Sequence, residues 1–274
     1  MLGAFFFALP LGAQQPAVAS SDGSDDSQPA ASETDFGSDL DQPDLDYPPL
    51  PEPLPPAPLP APQGAIRIAP RSPVWIDRKK GCVYVDGEIS LRRGVLEMFA
   101  CPRGTKEHES IVSVASPAFV VHGALLAVGA QPGKPVQWEP KFKPPTGVVI
   151  RIDVQWCKEG RYEEKPQTME ARQWVFDNQT GKPMEQDFVF AGSGFWKDEE
   201  SGREYYLAEQ GDMICVSNFG SAMIDVADHS PQANDGLLFE ALTENIPPLG
   251  TPVRLVLTPQ PKAVKPNPPK KFKF

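Results

Sequence analysis

The sequence lacks several features that define common classes of protein. Its 274 residues include four cysteines and three histidines, and no two cysteines form a C-x-x-C pair. Because iron–sulfur clusters and structural zinc sites take their cysteines in such close pairs, we expect no iron–sulfur cluster. No apolar run approaches the ~20 residues of a membrane-spanning helix. A Gly-rich phosphate loop and a G-x-S-x-G motif are also missing, so nothing indicates nucleotide binding or α/β-hydrolase chemistry.

Positive charge is absent from the first 66 residues, which carry ten acidic side chains. The residues after 258 are the reverse, with five lysines and no acidic residue. The formal net charge of −10 therefore describes the N-terminal segment more than the rest, since residues 67–258 hold 26 acidic and 21 basic side chains. A nucleic-acid-binding domain needs a basic face, so we exclude a nucleic-acid partner.

The first 13 residues are almost wholly apolar, which is typical of the hydrophobic region of a secretory signal peptide. Ala17-Val-Ala19 then fits an A-x-A cleavage pattern. We predict a signal peptide over residues 1–19, and hence an exported protein, periplasmic or secreted. A frayed apolar terminus of a cytosolic protein is the alternative interpretation.

Two low-complexity segments flank the central part of the chain. Residues 20–46 contain too few large apolar side chains to offset the entropy of ordering, and residues 47–62 hold nine prolines in sixteen positions. We predict a disordered acidic and proline-rich tether over residues 20–65, extended as polyproline II in its second half. Residues 260–274 form a basic, proline-rich tail.

Residues 66–259 are long enough to fold as one domain. Short runs of β-branched and aromatic residues separated by turn residues predict strands. The longest, residues 147–156, alternates apolar and polar side chains over its second half. The predicted strands cover residues 74–76, 82–85, 94–100, 111–115, 147–156, 172–176, 187–191, 204–208, 213–217, 237–242 and 253–258. The run at 237–242 is also a good helix sequence.

One helix is marked by its ends. Ser116 is a suitable cap, Pro117 suits the first helical position, and Gly129 suits the position after the last turn. The residues between are apolar on nearly every side, which predicts a helix buried against the sheet. The expected fold class is therefore α+β, mostly antiparallel β with one buried helix.

The cysteines Cys82, Cys101, Cys157 and Cys215 all lie in or beside predicted strands. In an exported protein four cysteines permit two disulfides, in any of three pairings. Four buried free thiols are the alternative.

The densest group of reactive side chains lies in the loop from Cys101 to Ser110, which also contains Lys106, Glu107, His108 and Glu109. His108 is a candidate metal ligand, or a base toward Cys101 or Ser110. His122, in the predicted helix, needs a partner for its ring N–H. One hypothesis is a hydrogen bond to Glu107 or Glu109 that fixes the helix to the loop. The other is that His108 and His122 converge on a metal ion.

Several blocks of the sequence resemble the YdjY-like domain family, in the long form found in exported planctomycete proteins. The resemblance covers about residues 80–258 and comes from the blocks 94–101, 106–110, 122–133, 188–193, 215–219 and 246–252. It implies that Glu97, Lys106, His108, Glu109, Ser110 and His122 are motif positions. The family has no settled activity, so the resemblance implies no reaction.

The sequence thus predicts an exported single-domain module with a binding or structural role, and no enzymatic activity is expected. Its partner would be an extracytoplasmic protein or a component of the cell envelope. The alternative is a metal-binding or thiol-redox protein that uses the loop at 101–110 together with His122. A hydrolase-type enzyme is the third hypothesis.

Overall fold

The computed structural model describes residues 59–157, 165–230 and 238–260. The predicted signal peptide, the tether as far as residue 58 and the tail after residue 260 lie outside these ranges. Within them, no helix has the length and apolar character needed to span a membrane.

The described residues form mainly short strands. The strands are β1 Ile66–Arg67, β2 Val74–Asp77, β3 Cys82–Ile89, β4 Met98–Pro102, β5 Ser110–Val114, β6 Pro132–Lys134, β7 Thr146–Gly147, β8 Val149–Trp156, β9 Gln167–Glu170, β10 Val175–Asp177, β11 Lys182–Pro183, β12 Phe188–Phe190, β13 Phe195–Lys197, β14 Glu204–Tyr206, β15 Ile214–Cys215, β16 Ile224–Val226, β17 Phe239–Ala241 and β18 Pro252–Gln260. The α-helix is α1, Ala118–Ala127, and 3-10 helices cover Glu107–Glu109, Ala171–Trp174 and Leu207–Gln210.

Eight of these strands close into a barrel. The order around the ring is β3, β18, β8, β12, β16, β15, β4 and β5, and β5 pairs again with β3. Neighbours are antiparallel except for the pairs β15–β16 and β4–β5, which are parallel. β1 and β2 extend the sheet beyond β3, and β9 pairs with β8. Closure pairs the edges that an open sheet would expose.

Strand β3 closes the barrel because it changes partner along its length. One edge pairs with β18 over residues 83–88. The other edge pairs with β2 over residues 82–85 and with β5 over residues 87–89. Gly87 stands at this change, and a Cβ atom there would lie 2.5 Å from the carbonyl oxygen of Ser113 on β5. Only glycine lets the two backbones approach this closely.

The core follows the alternation that the sequence predicts for the longest strand. Ile150, Ile152, Val154 and Trp156 are buried, while Arg151 between them is exposed. Residues Val83 and Val85 of β3 face the same core, whereas Trp75 of β2 and Tyr84 of β3 lie in a separate cluster on the opposite face.

Two hairpin turns, between β2 and β3 and between β10 and β11, are built in the same way. The Asp77 carboxylate accepts hydrogen bonds from the backbone N–H groups of Lys79 and Lys80, and Asp77 pairs with Cys82 across the turn. In the turn between β10 and β11, the Asp177 carboxylate accepts hydrogen bonds from the backbone N–H groups of Gln179 and Thr180. An aspartate at the start of a turn accepts hydrogen bonds from the backbone N–H groups of the turn, which have no backbone carbonyl as partner. This explains why both turns begin after an aspartate.

The predicted α+β class is wrong: the fold is mostly β, a closed barrel with one α-helix in the described residues. The helix is also less buried than predicted. Val121 and Leu125 pack into the core beside β2 and β3, but Phe119 is 57% exposed and Leu126 46% exposed. An apolar composition on all sides indicated burial, yet only one face of α1 has a sheet to pack against.

The start of α1 also differs from the prediction. Pro117 is the residue before the first turn, and Ser116 provides no cap, because its hydroxyl lies 2.5 Å from that of Ser72. The Glu209 carboxylate instead accepts hydrogen bonds from the N–H groups of Ala118 and Phe119. A carboxylate at this end is favoured by the helix dipole. The cap is supplied from 90 residues away, so local sequence could not indicate it.

The barrel closure predicts a large difference between two glycine substitutions. Gly87→Ala should lower the free energy of unfolding by about 1–3 kcal/mol, because the new Cβ would force β5 away from β3. Urea denaturation measures the change. The control is Gly123→Ala on α1, where a Cβ meets nothing within 4 Å. That change should stabilise the helix by about 0.5–1 kcal/mol, and equal effects of the two substitutions would contradict the closure argument.

Candidate functional site

The loop that carries most of the predicted site residues is shorter than its topology normally requires. β4 and β5 are parallel neighbours, yet only residues 103–109 connect them. Parallel strands usually need a crossover of about a dozen residues. Seven residues span at most ~25 Å, and about 16 Å of this is used to return along the five residues of β4. The loop therefore lies against the barrel, with Lys106 at its middle.

Three carboxylates surround the ammonium group of Lys106. Its Nζ atom lies 3.0 Å from Asp212 Oδ1, 3.8 Å from Glu109 Oε1 and 3.9 Å from Glu97 Oε2. The same atom lies 4.3 Å from the centre of the Phe219 ring, a cation–π contact. We call these five residues the Lys106 cluster. It joins the β4–β5 loop to the segment between β15 and β16 and to the turn before β15.

The electrostatics of the Lys106 cluster keep its lysine charged. Burial opposes the charge, but Asp212, Glu109 and Glu97 outweigh it and raise the pKa of Lys106. Burial and the negative charge of Glu109 raise the pKa of Glu97, against the effect of Lys106. A lysine held as a cation is neither a nucleophile nor a base at neutral pH. The ammonium group acts as a fixed internal counter-ion.

The absence of a side chain at Gly211 lets the Lys106 side chain reach the carboxylates. Its φ angle is +129°, and a Cβ atom there would lie 2.6 Å from both Cγ and Cδ of Lys106. The aliphatic stem thus runs directly over the glycine backbone. This residue, Asp212 and Phe219 were not among the predicted site residues, although Phe219 ends the resembling block at 215–219. The fold alone brings all three to the loop.

The remaining residues of the loop have separate surroundings. Cys101 and Ser110 are fully buried in β4 and β5, and burial raises the pKa of the Cys101 thiol. The Glu107 carboxylate accepts a hydrogen bond from the backbone N–H of Gly104. The His108 side chain is 77% exposed, and its Nε2 lies 3.9 Å from Glu109 Oε2. The loop therefore presents no exposed nucleophile beside this histidine.

His122 has a partner of a different kind from the two predicted. Its Nδ1 lies 2.8 Å from the hydroxyl of Tyr206, and its ring packs edge-on against Phe190. The tyrosine hydroxyl itself donates to the carbonyl of Gly192 at 3.3 Å, so His122 Nδ1–H is the donor in the first bond. Burial lowers the pKa of His122, which favours the neutral ring. The bond ties α1 to β14, and no carboxylate of the loop takes part in it.

Metal and disulfide chemistry were two alternatives for these residues. Across residues 59–157, 165–230 and 238–260, no group of three or more His, Cys, Asp or Glu side chains is arranged to hold a metal ion. The four cysteines are free thiols: Cys82, Cys101 and Cys215 are buried, and Cys157 is partly exposed.

A buried polar network lies beside the Lys106 cluster. Asp225 of β16 is fully buried, and its Oδ1 accepts hydrogen bonds from Asn218 Nδ2 at 3.1 Å and from the Val226 N–H at 2.8 Å. Asn218 and Ser230 bind each other through two further bonds, at 2.7 and 2.8 Å. Burial raises the pKa of Asp225 to about 8, despite the hydrogen bonds that favour the ionised form. Burial thus favours the neutral form of this carboxyl group.

One of the comparisons with known proteins gives a match. A family model described as the YdjY domain matches residues 74–258. The chain belongs to the YdjY domain family. No curated protein and no solved structure matches it.

Four of the six blocks that carry the family resemblance fall on two places in this YdjY domain. Residues 94–101, 106–110 and 215–219 build the Lys106 cluster and its support: the Glu97 carbonyl accepts the N–H groups of Val216 and Ser217 at 2.9 and 3.0 Å. The block at 122–133 forms the second half of α1 and its end. Of the predicted positions, Glu97, Lys106 and Glu109 meet, whereas His108 is directed to solvent and His122 binds Tyr206.

The buried carboxyl group of Asp225 predicts a pH-dependent stability. Its pKa is raised in the folded YdjY domain, so its contribution is complete below pH ~4 and is lost as the pH rises toward about 8. Asp225→Asn keeps the acceptor oxygen and cannot ionise. Relative to the wild type, it should gain more than ~1.4 kcal/mol in unfolding free energy between pH 5 and pH 8.

Urea denaturation at several pH values measures this difference. Asp228→Asn, at an exposed position of the same segment, is the control and should follow the wild-type pH dependence. Parallel pH profiles for Asp225→Asn and the wild type would show that the Asp225 carboxyl group is ionised in the folded protein, and would contradict a neutral group at this position.

Proposed function

We propose that this YdjY domain is a non-catalytic binding module that acts outside the cytoplasm and binds a protein partner. The observation that carries the proposal is a group of exposed apolar side chains on α1, β13 and β14. We call these residues the aromatic surface; they are Phe119, Leu126, Phe195, Trp196 and Tyr205. Trp196 and Tyr205 lie on one face of the β13–β14 hairpin, and Phe195 lies with Tyr206 on the face toward α1.

The hairpin β13–β14 provides the aromatic part of this surface. Trp196 and Tyr205 pair directly across the hairpin, with ring centres 5.6 Å apart and planes 31° apart. They are 53% and 47% exposed, and the neighbouring Phe195 is 68% exposed. Large apolar side chains grouped in this way on a soluble domain indicate an interaction site.

The helix and the hairpin are held together by specific contacts. Tyr206 of β14 packs against Phe195 on one side and hydrogen-bonds His122 of α1 on the other. Glu209, just after β14, binds the first N–H groups of α1. Phe119 and Leu126 lie three residues before and four residues after His122, so one helical face carries all three. The helix and the hairpin that carry the aromatic surface are therefore fixed to each other by these hydrogen bonds and ring contacts.

The chemistry of the aromatic surface favours a protein as the partner. Tyrosine, tryptophan and phenylalanine are enriched at the centres of protein interfaces, and aliphatic side chains such as Leu126 complete such patches. Lys197 and Glu204 form the exposed pair at the end of the hairpin, which suits the polar rim of an interface.

The reactive side chains give less support to catalysis or thiol chemistry. Burial raises the pKa of Cys82, Cys101 and Cys215, and a thiol that stays protonated is a poor nucleophile. Lys106 is neutralised by its own carboxylates. A cavity of about 160 Å³ beside β8 and β12 is smaller than the ~300 Å³ at which small-molecule sites begin. The metal-binding and hydrolase hypotheses have no comparable support.

Export is supported by the sequence before the described residues. The apolar run and the A-x-A pattern at residues 17–19 favour cleavage after Ala19, and the acidic, proline-rich segment suits a spacer between the domain and a surface. The partner we propose is accordingly an extracytoplasmic protein.

The test uses the full chain with a C-terminal tag, expressed in the source organism and cross-linked before fractionation. We expect the chain in the extracytoplasmic fraction with Ser20 at its N-terminus, cross-linked to a defined protein. Combining Trp196→Ser with Tyr205→Ser should reduce this cross-link at least ~10-fold, because the centre of the interface is lost.

Leu249→Ser is the matched control, since Leu249 is 64% exposed on a different loop. It should leave the cross-link unchanged. Equal cross-linking by the double variant, or a polysaccharide as the only species recovered with the chain, would refute the proposed interface. An uncleaved chain confined to the cytoplasm would refute export.

A further inference from the structure

We propose that Trp75, Tyr84 and Arg254 form a binding site for a proline-rich segment, and that the chain's own residues 59–62 occupy it. We call the three residues the proline site and the segment Leu59-Pro-Ala-Pro62 the strap. The proposal does not depend on the aromatic surface, which involves other residues.

One hydrogen bond joins the strap to the barrel, and one strap side chain is buried. The carbonyl oxygen of Pro60 accepts a hydrogen bond from Arg254 Nη2 at 2.9 Å. The Leu59 side chain is 8% exposed, although the residues around it in the sequence are mostly proline and alanine. Proline has no N–H, so carbonyl oxygens are the only backbone hydrogen-bonding groups that prolines offer. An arginine donor beside apolar rings matches that chemistry.

The aromatic part of the proline site lies on the face of β2 and β3 opposite the barrel core. Trp75 and Tyr84 pair directly across these strands and are 3% and 7% exposed. Ala65, three residues beyond the strap, packs against the cluster that these two residues form with Cys82. Aromatic grooves of this kind bind polyproline II segments, because a segment whose φ angles are already fixed loses little entropy on binding.

Arg254 is held in position for its contact with the strap. Its Nε and Nη2 atoms bind the two oxygens of Asp86 at 2.6 and 2.8 Å, and both side chains are buried. Its guanidinium carbon lies 5.3 Å from the Trp75 ring centre and 5.9 Å from that of Tyr84. A bidentate ion pair fixes the plane of the guanidinium group, so the donor is aimed at Pro60 before any segment binds.

The contacts of the strap differ in kind from those of the barrel. The strands of the barrel are held by ladders of backbone bonds, whereas the strap is held by the Pro60 carbonyl and by burial of Leu59. The sequence repeats the same pattern upstream, since Leu54-Pro55 precedes Leu59-Pro60 by five residues. A segment held by so few contacts can exchange with another copy of the same sequence.

The test measures binding of a fluorescein-labelled peptide with the sequence of residues 47–62 to the full-length chain, by fluorescence anisotropy. In the wild type the strap competes with the peptide. Leu59→Asp places a charge at a buried position and should release the strap, so this variant should bind the peptide at least ~10-fold more tightly than the wild type. A peptide that carries Asp in place of Leu59 is the control and should bind neither chain.

Two further variants separate the possible outcomes. If Leu59→Asp fails to give the wild-type circular dichroism spectrum, Leu59→Ala replaces it. Adding Trp196→Ser and Tyr205→Ser to the released chain should leave peptide binding unchanged, and its loss would place the peptide on the aromatic surface and overturn the proposal. Absence of peptide binding to a folded, released chain would also overturn it.

Discussion

The return of the chain from β4 to its parallel neighbour β5 within seven residues is the constraint on which the candidate site depends. The short connection cannot extend into solvent, so Lys106 is pressed against the turn before β15 and the segment after it. Its ammonium group then balances Glu97, Glu109 and Asp212, and the loop and barrel are joined by charge as well as by the sheet. The two nucleophilic side chains of the same stretch, Cys101 and Ser110, lie in β4 and β5 and are fully buried.

This arrangement places the Lys106 cluster and the buried Cys101 and Ser110 against or inside the barrel, whereas the binding role that we propose uses the outer surface. The Lys106 cluster is held by ion pairs, and the network around Asp225 is held by hydrogen bonds to Asn218 and Val226. The exposed apolar groups lie elsewhere, on one face of α1 and on the β13–β14 hairpin. The proline site that we propose is a third region, in which Trp75 and Tyr84 are buried. The binding role that we propose uses these exposed surfaces.

Sequence patterns predicted the features that depend on residues close in the chain. They missed the features that depend on pairing of strands distant in the sequence. The β2–β3 hairpin, the alternation of β8 and the approximate extent of α1 follow from local turn chemistry and periodicity. The closed barrel did not, because its last pairing joins β3 to β5 through Gly87 and is visible only when eight strands are placed together. The same limit applies to the site: Glu97, Lys106 and Glu109 were identified within one stretch, but Asp212 lies more than 100 residues away. His122 was identified correctly as needing a partner, yet Tyr206 is 84 residues distant and carries no motif signal.

The central claim is that the motif charges stabilise the fold instead of performing chemistry, and a double-mutant cycle on Lys106 and Asp212 tests it most directly. Lys106→Met, Asp212→Asn and their combination should give a coupling free energy of about 1–3 kcal/mol in urea denaturation at pH 7. The exposed pair Arg103–Glu88, with its charged atoms 3.0 Å apart, is the reference, and its coupling should stay below ~1 kcal/mol. A Lys106–Asp212 coupling no larger than that of the reference pair would contradict the claim.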